Sequence, residues 1–302
     1  MQLRIATRKS ELALWQARHI AEKLESIAEV TQVELVPMST RGDEILDRSL
    51  QKIGGKGLFI KELEQALQAG RADLAVHSMK DVPADMPDGF CIAAVLQRAN
   101  PTDALVTADN SGLQSVPEGG RIGSSSLRRQ AQLRALRPDI VVEPLRGNVN
   151  TRLAKLEQGQ YDAIVLASAG LQRLGMASRI AEEFSPEHML PAAAQGVLGI
   201  ECLQDRADLR SLLAQLDDAA TKTTTLAERA VARALQASCQ SPVASYATLA
   251  GEEINLQALV ASADGTTILR ESAKAAACDA EALGIEVATR LLERGAGALL
   301  EQ

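Results

Sequence analysis

Residues 72–83 read ADLAVHSMKDVP. The apolar run Leu74–Val76 gives way to His77, Ser78, Met79, Lys80 and Asp81, and Pro83 follows two positions later. Proline disfavours the helical region for the residue before it, so Val82 stays extended and Ser78–Asp81 becomes a stiffened segment beyond a strand's carboxyl end. Open α/β sheets bind their ligands at such ends. Working outward, comparable strand-like runs recur up to about residue 200: VELVPM, CIAAVLQ, DALVTA, DIVVEPL, DAIVLASAG and VLGIEC. Helical patterns fill the gaps at 11–29, 58–69, 127–136 and 149–158. Alternation of this kind predicts mainly parallel α/β sheets.

The polar connection TADNSGLQSVPEGGRIGSSS interrupts the series near its middle, so two α/β lobes fit better than one sheet. After LDDAATKTTT the pattern changes to a helix from Leu226 to Gln236, a hairpin around Asp264-Gly265 and a final helix, a small α+β domain. Thr225 and Glu228 have capping-box spacing at the start of its first helix. The ends VHSMKD and VLASAG hint that the two lobes are alike.

The chain of 302 residues has 46% hydrophobic content but only 2% aromatics and a net charge of −7. Few stacking platforms and an acidic surface argue against nucleic acid and anionic membranes as partners, so any anion site must be local. No stretch reaches the roughly 20 apolar residues of a spanning helix, and MQLRIATRKS enters a strand pattern directly, which places the protein in the cytoplasm. Cys91, Cys202, Cys239 and Cys278 lie far apart in the chain, so reduced thiols are the expectation; three scattered histidines argue against a metal.

A plain reading of the opening stretch has Asp81 capping a turn and Lys80 solvated. His77 and Ser78 make no hydrolase pair, because neighbours along a strand face opposite sides. Arginine is the second theme: Arg8, Arg128, Arg129, Arg146, Arg152 and Arg173 each follow a predicted strand end. Any one of them reads as a solvated surface residue, but the set suggests a ligand rich in carboxylates. Residues 40–59, TRGDEILDRSLQKIGGKGLF, read as a mobile lid or a plain surface loop, and the glycines around Lys56 form no P-loop because Ser or Thr is absent after it. Cys239 follows a helix C-terminus, whose partial negative charge disfavours a thiolate; a one-time covalent anchor tolerates that placement better than a turnover nucleophile.

Taken together, RIATRKSELALWQ, TRGD, HSMKDVP, GSSSLRRQ, LRGNVNTRL, YDAIVLASAGLQRLG, QGVLGIE and CQSPVASYA resemble the porphobilinogen deaminase family over nearly the whole chain. The resemblance implies two lobes like type II periplasmic binding proteins, residues 1–97 with 197–216 and residues 98–196, followed by a domain at 217–302. It implies a monomeric transferase of tetrapyrrole biosynthesis that condenses four porphobilinogen molecules into hydroxymethylbilane and releases ammonia each time. The primer is a dipyrromethane cofactor on a cysteine thioether, by motif position Cys239. Asp81 is then the catalytic carboxylate, buried and facing the pyrrole N–H groups. Ser78, Lys80, Arg128, Arg129 and Arg146 contact the cofactor, and Arg8, Arg152, Arg173, Lys56 and Phe59 serve the substrate. Ala237, Ser238 and Ala194 stand where the family generally has glycines, so a positive φ at any of them would be strained. Two other readings share these residues: a two-lobed binding protein without catalysis, and a relative that has lost the cofactor.

Overall fold

The computed structural model describes residues 1–40, 60–238 and 240–301. The chain starts with β1 (Gln2–Arg8), α1 (Glu11–Glu25), β2 (Gln32–Met38), α2 (Lys61–Gln68), β3 (Leu74–Ser78) and β4 (Phe90–Val95). It continues through β5 (Asp103–Thr107), β6 (Arg121–Gly123), α3 (Leu127–Leu136), β7 (Val141–Glu143), α4 (Val149–Glu157), β8 (Ala163–Ala167), α5 (Ser168–Arg173) and β9 (Glu182–Phe184). Then come β10 (Leu198–Leu203), α6 (Ala207–Leu213), α7 (Ala219–Ala234), β11 (Val243–Ala250), β12 (Glu253–Ala261), β13 (Ile268–Ala276), α8 (Ala280–Glu293) and α9 (Ala296–Leu300). Two compact units result, Met1–Arg98 with Val197–Lys222, and Ala99–Gly196 with Thr223–Gln302.

The first unit has the sheet order β2-β1-β3-β10-β4, and the second unit's larger sheet has β7-β6-β8-β5-β9. In each, the first three strands are parallel and the fourth runs against its neighbours. The two topologies are therefore the same, and β3 and β8, the strands that end in VHS and VLA, hold the same place in their sheets. Two α/β lobes are the expectation from the sequence, and the reversed strand in each sheet is the one by which the chain enters or re-enters that lobe.

Helices form where the local signals agree. Ser10 caps α1 by accepting the N–H of Ala13, and the helix buries Gln16, Ala17, Ile20 and Leu24 along one stripe against Leu3, Ile5, Leu74 and Val76. β3 is buried on both faces, with α2 packing Leu63, Ala66 and Leu67 on the side opposite α1, as a central α/β strand requires. Helix α3 is different: its buried residues include Arg128, Arg129 and Gln132 beside Ala131 and Leu133. A helix that turns two guanidinium groups inward must meet acceptors there.

The C-terminal part differs from expectation in two places. Strands β12 and β13 form the expected hairpin, but Val243–Ala250 adds a third strand, β11, paired antiparallel to β12. Helix α7 starts at Ala219 rather than Leu226, with Asp218 Oδ1 accepting the N–H of Thr221 at 2.8 Å. Thr225 and Glu228 thus lie inside the helix, and the pair is no capping box. Both side chains are buried, so their spacing reflects an inward face.

Cys91 and Cys202, far apart in the chain, are register partners on β4 and β10, with sulfurs 3.9 Å apart. Burial pushes the Cys202 thiol up to about 12, and the neighbouring Cys91 adds to the shift. Cys91, Cys202 and Cys278 are free thiols. Among the described residues no helix is long and apolar enough to cross a membrane.

Candidate active site

In the first unit, β3 runs into a single 3-10 turn, Met79–Asp81, and Val82 leaves it extended at φ −80° and ψ 128° ahead of Pro83. The turn is anchored by its backbone and by Met79. The Met79 N–H donates to the Val197 carbonyl at 3.0 Å, and the side chain, 2% exposed, packs over Gly199. Asp81 itself is exposed, which corrects the expectation of a buried carboxylate. The reason is local: Met79 takes the inward position of the turn and leaves Asp81 outside. Lys80 and Ser78 are partly buried, and Ser78 Oγ accepts an N–H of Gln16 on α1 at 2.9 Å. Arg8, partly buried, closes β1, the strand parallel to β3, so it lies at the same end of the sheet as the turn.

Beneath the turn, His77 Nε2 lies 2.7 Å from Glu201 Oε2, and Glu201 is wholly buried on β10. Its other oxygen, Oε1, meets no partner among the described residues. Glu64 on α2 is pushed above the ordinary carboxyl range by burial and by Glu201. His77 thus belongs to a packed polar group under the turn.

In the second unit, a Ser-rich loop leads from β6 into α3 and delivers Arg128 and Arg129 to a single carboxylate, Asp103 at the start of β5. Arg128 Nη1 donates to Asp103 Oδ2 and to the Leu190 carbonyl, both at 2.7 Å. Arg129 donates through Nε and Nη2 to Asp103 Oδ1 at 2.9 and 2.6 Å, and through Nη1 to the Val165 carbonyl at 3.0 Å. Gln195 Nε2 adds a fourth donor to Asp103 at 2.9 Å and holds the Pro101 carbonyl at 2.7 Å. Burial drives the Asp103 carboxyl up, but the two arginines outweigh it and hold the group well below the usual carboxylate range. Two cations and one anion leave the cluster a net positive charge. Arg128 and Arg129, 3% and 6% exposed, are therefore not solvated surface residues. Among the described residues, Arg128 engages acceptors only through Nη1, which leaves its Nε and Nη2 edge available to a ligand.

Arg146 lies in the loop ahead of α4 and Arg152 in the first turn of that helix. Arg152 Nε donates to the Gly147 carbonyl at 2.8 Å, Lys155 Nζ donates to the Arg146 carbonyl at 3.2 Å, and Asn148 caps α4 through Thr151. Gly147 turns at φ 113°, where a Cβ would sit 2.7 Å from Thr151. Arg173, at the end of α5, donates to the Gly196 carbonyl at 2.8 Å, and burial pulls its guanidinium down to about 10. Lys56, Phe59 and Cys239 lie outside the described residues.

Of the three positions where glycine was expected, only Ala194 has a positive φ, 57°. Its strained backbone is clamped: the Ala194 N–H donates to Glu228 Oε2 at 2.6 Å, and Glu228 Oε1 accepts the Ala247 N–H at 2.7 Å. Ala237 and Ser238 are unstrained, because the left-handed residue that ends α7 is Gln236, at φ 51°. Sequence reasoning missed Asp103, Gln195 and Glu201, and it took Glu228 for half of a helix cap. For Asp103 and Glu201 a signal exists, a lone acid inside an otherwise apolar strand, which burial makes costly unless it is paired.

A family model described as the porphobilinogen deaminase dipyromethane cofactor binding domain matches residues 3–211, and the model of that family's C-terminal domain matches residues 222–293. Curated relatives named porphobilinogen deaminase include one from Chromobacterium violaceum, 54% identical over 98% of this chain and 96% of its own length. Another, from Stenotrophomonas maltophilia, is 55% identical over 99% of this chain and 98% of its own. Among solved structures, the methionine binding protein MetQ gives a TM-score of 0.46 at 11% identity, over 70% of this chain and 89% of that one. The aliphatic sulphonate binding protein SsuA from Escherichia coli gives 0.40 at 16%, over 78% and 70%. The two structural likenesses are slight and bear no weight beside the full-length matches. With both family models matching in order and relatives more than half identical from end to end, this chain belongs to the porphobilinogen deaminase family.

Proposed function

We propose that the protein condenses four porphobilinogen molecules head to tail into hydroxymethylbilane with release of ammonia, primed by a dipyrromethane cofactor on Cys239. The observation that carries this reading beyond family membership is the Arg128–Arg129–Asp103 cluster. A chain of net charge −7 has buried two guanidinium groups against one carboxylate, and such a set fits an oligopyrrole whose rings carry acetate and propionate groups. The bound dipyrrole supplies the nucleophilic ring carbon to which the substrate is joined.

The chain's own residues do the rest. Arg128 and Arg129 orient the cofactor, with Arg146, Ser78 and Lys80 as further contacts. Arg8, Arg152 and Arg173 pair with substrate carboxylates, and Lys56 and Phe59 act in substrate binding from residues 40–59. Asp81 is the catalytic carboxylate. Ammonia leaving the aminomethyl group puts positive charge on the pyrrole, and a carboxylate held close to the ring N–H offsets it and takes the proton released later. Exposure suits Asp81 to this, because its oxygens are open to a ligand that comes to cover the turn.

The same reading includes three domains, 1–97 with 197–216, 98–196 and 217–302, supported by the three sheets and by Asp218 capping α7 at the last boundary. It also includes a monomeric enzyme in the cytoplasm. The test is intact mass and Ehrlich's reagent on denatured, freshly purified protein. A covalent dipyrrole on Cys239 and hydroxymethylbilane formation from porphobilinogen are expected, and unmodified mass with no colour would overturn the reading.

A further inference from the structure

Asp103 lies outside the motifs that carry the family resemblance, yet among the described residues every ion pair of Arg128 and Arg129 converges on it. It is wholly buried, and four donors reach its two oxygens: Arg128 on Oδ2, Arg129 through both Nε and Nη2 on Oδ1, and Gln195 on Oδ1. A single carboxylate gripping two guanidinium groups from adjacent helix positions fixes the rotation of both. Gln195 in turn fixes the carboxylate, because its amide also donates to the Pro101 and Thr102 carbonyls just ahead of β5. Arg129 is bound on every side, by Asp103 and by the Val165 carbonyl, whereas Arg128 keeps its Nε and Nη2 edge without an acceptor among the described residues.

We propose that Asp103, braced by Gln195, is a positioning residue for the reaction: it locks Arg129 as a support and aims the remaining edge of Arg128 at a carboxylate of the tethered dipyrrole. The inference rests on the reading of Arg128 as a cofactor ligand. It makes a prediction whose sign opposes simple electrostatics. Removing one negative charge from a site that receives carboxylates would, by charge alone, tighten their binding. Loss of positioning weakens it instead.

Wild type, Asp103→Asn and Gln195→Leu are compared after expression with porphobilinogen available, by thermal midpoint, by the fraction of chains carrying dipyrrole in intact mass, and by KM and kcat. For folded Asp103→Asn the loaded fraction should fall about tenfold, and in the molecules that load, KM should rise about tenfold with kcat changing less. Gln195→Leu should move both quantities the same way by about threefold. Folded Asp103→Asn with wild-type loading and wild-type or lower KM overturns the inference, since a purely structural role moves only the thermal midpoint. Should Asp103→Asn fail to fold, Gln195→Leu decides: wild-type loading and KM there overturn it equally. A wild type that carries no dipyrrole overturns the functional reading, and this inference with it, whereas the variant outcomes bear on this inference alone.

Discussion

Glu228 accepts the backbone N–H of Ala194 at 2.6 Å, and Ala194 is the one alanine among the described residues in the left-handed region. A left-handed L-residue costs about 1–2 kcal/mol, and here a fully buried carboxylate on α7 offsets that cost while its other oxygen holds β11 at Ala247. Ala194→Gly should therefore raise stability by about 0.5–1 kcal/mol. Glu228→Gln should lower it by about 1–3 kcal/mol, because an amide N–H would face one of the two backbone donors. Denaturant titration of both single variants and the double variant checks this, and the loss in Glu228→Gln should shrink when Ala194 is already glycine.

Asp81→Asn keeps the shape of the exposed turn and removes the charge that offsets the developing cation. Turnover should fall by about a hundredfold or more while the covalent dipyrrole remains detectable by mass. Cys239→Ala should carry no covalent dipyrrole at all. Near-normal turnover in Asp81→Asn would remove that residue from the chemistry.

Gly199 lies opposite His77 on β10, and a Cβ there would sit 2.1 Å from the Met79 sulfur. Gly199→Ala must displace Met79, the residue that seats the turn, from a buried site. A stability loss of about 1–3 kcal/mol is expected from overpacking. The more telling measurement is turnover at a temperature where the variant is still folded, which should drop because Lys80 and Asp81 move with Met79.

The pH dependence of the arginine cluster has a definite sign. The folded Asp103 carboxyl is held below its unfolded value of about 3.9, so its contribution to stability is present above that pH and is lost as pH falls through the folded value. The thermal-midpoint gap between wild type and Asp103→Asn should therefore be widest near neutrality and narrow steadily as the pH is lowered from about 5 to about 2.

The alternation of β and α elements, the hairpin at Asp264-Gly265 and helix α3 were legible because each rests on local patterning: short apolar runs, a turn dipeptide, and a helix stopped before Pro138. The start of α7 was not, since Thr225 and Glu228 mimic a cap by spacing alone, and the partners of Glu228 come from β11 and the Ala194 loop, distant in the chain. The arginine positions could be read but not their partner. Nothing along the chain joins Asp103 to Arg128, Arg129 and Gln195 until β5 lies antiparallel to β8 and the chain has crossed back at Gly196.

β10 lies between β3 and β4 in its sheet, yet it is made from residues 198–203, whereas the second lobe's sheet is complete at Phe184. During synthesis the lobe encoded second is thus able to close first. The lobe encoded first has to wait with the facing edges of β3 and β4 open until the strand that joins them leaves the ribosome, and open edges in a nascent chain invite wrong pairing.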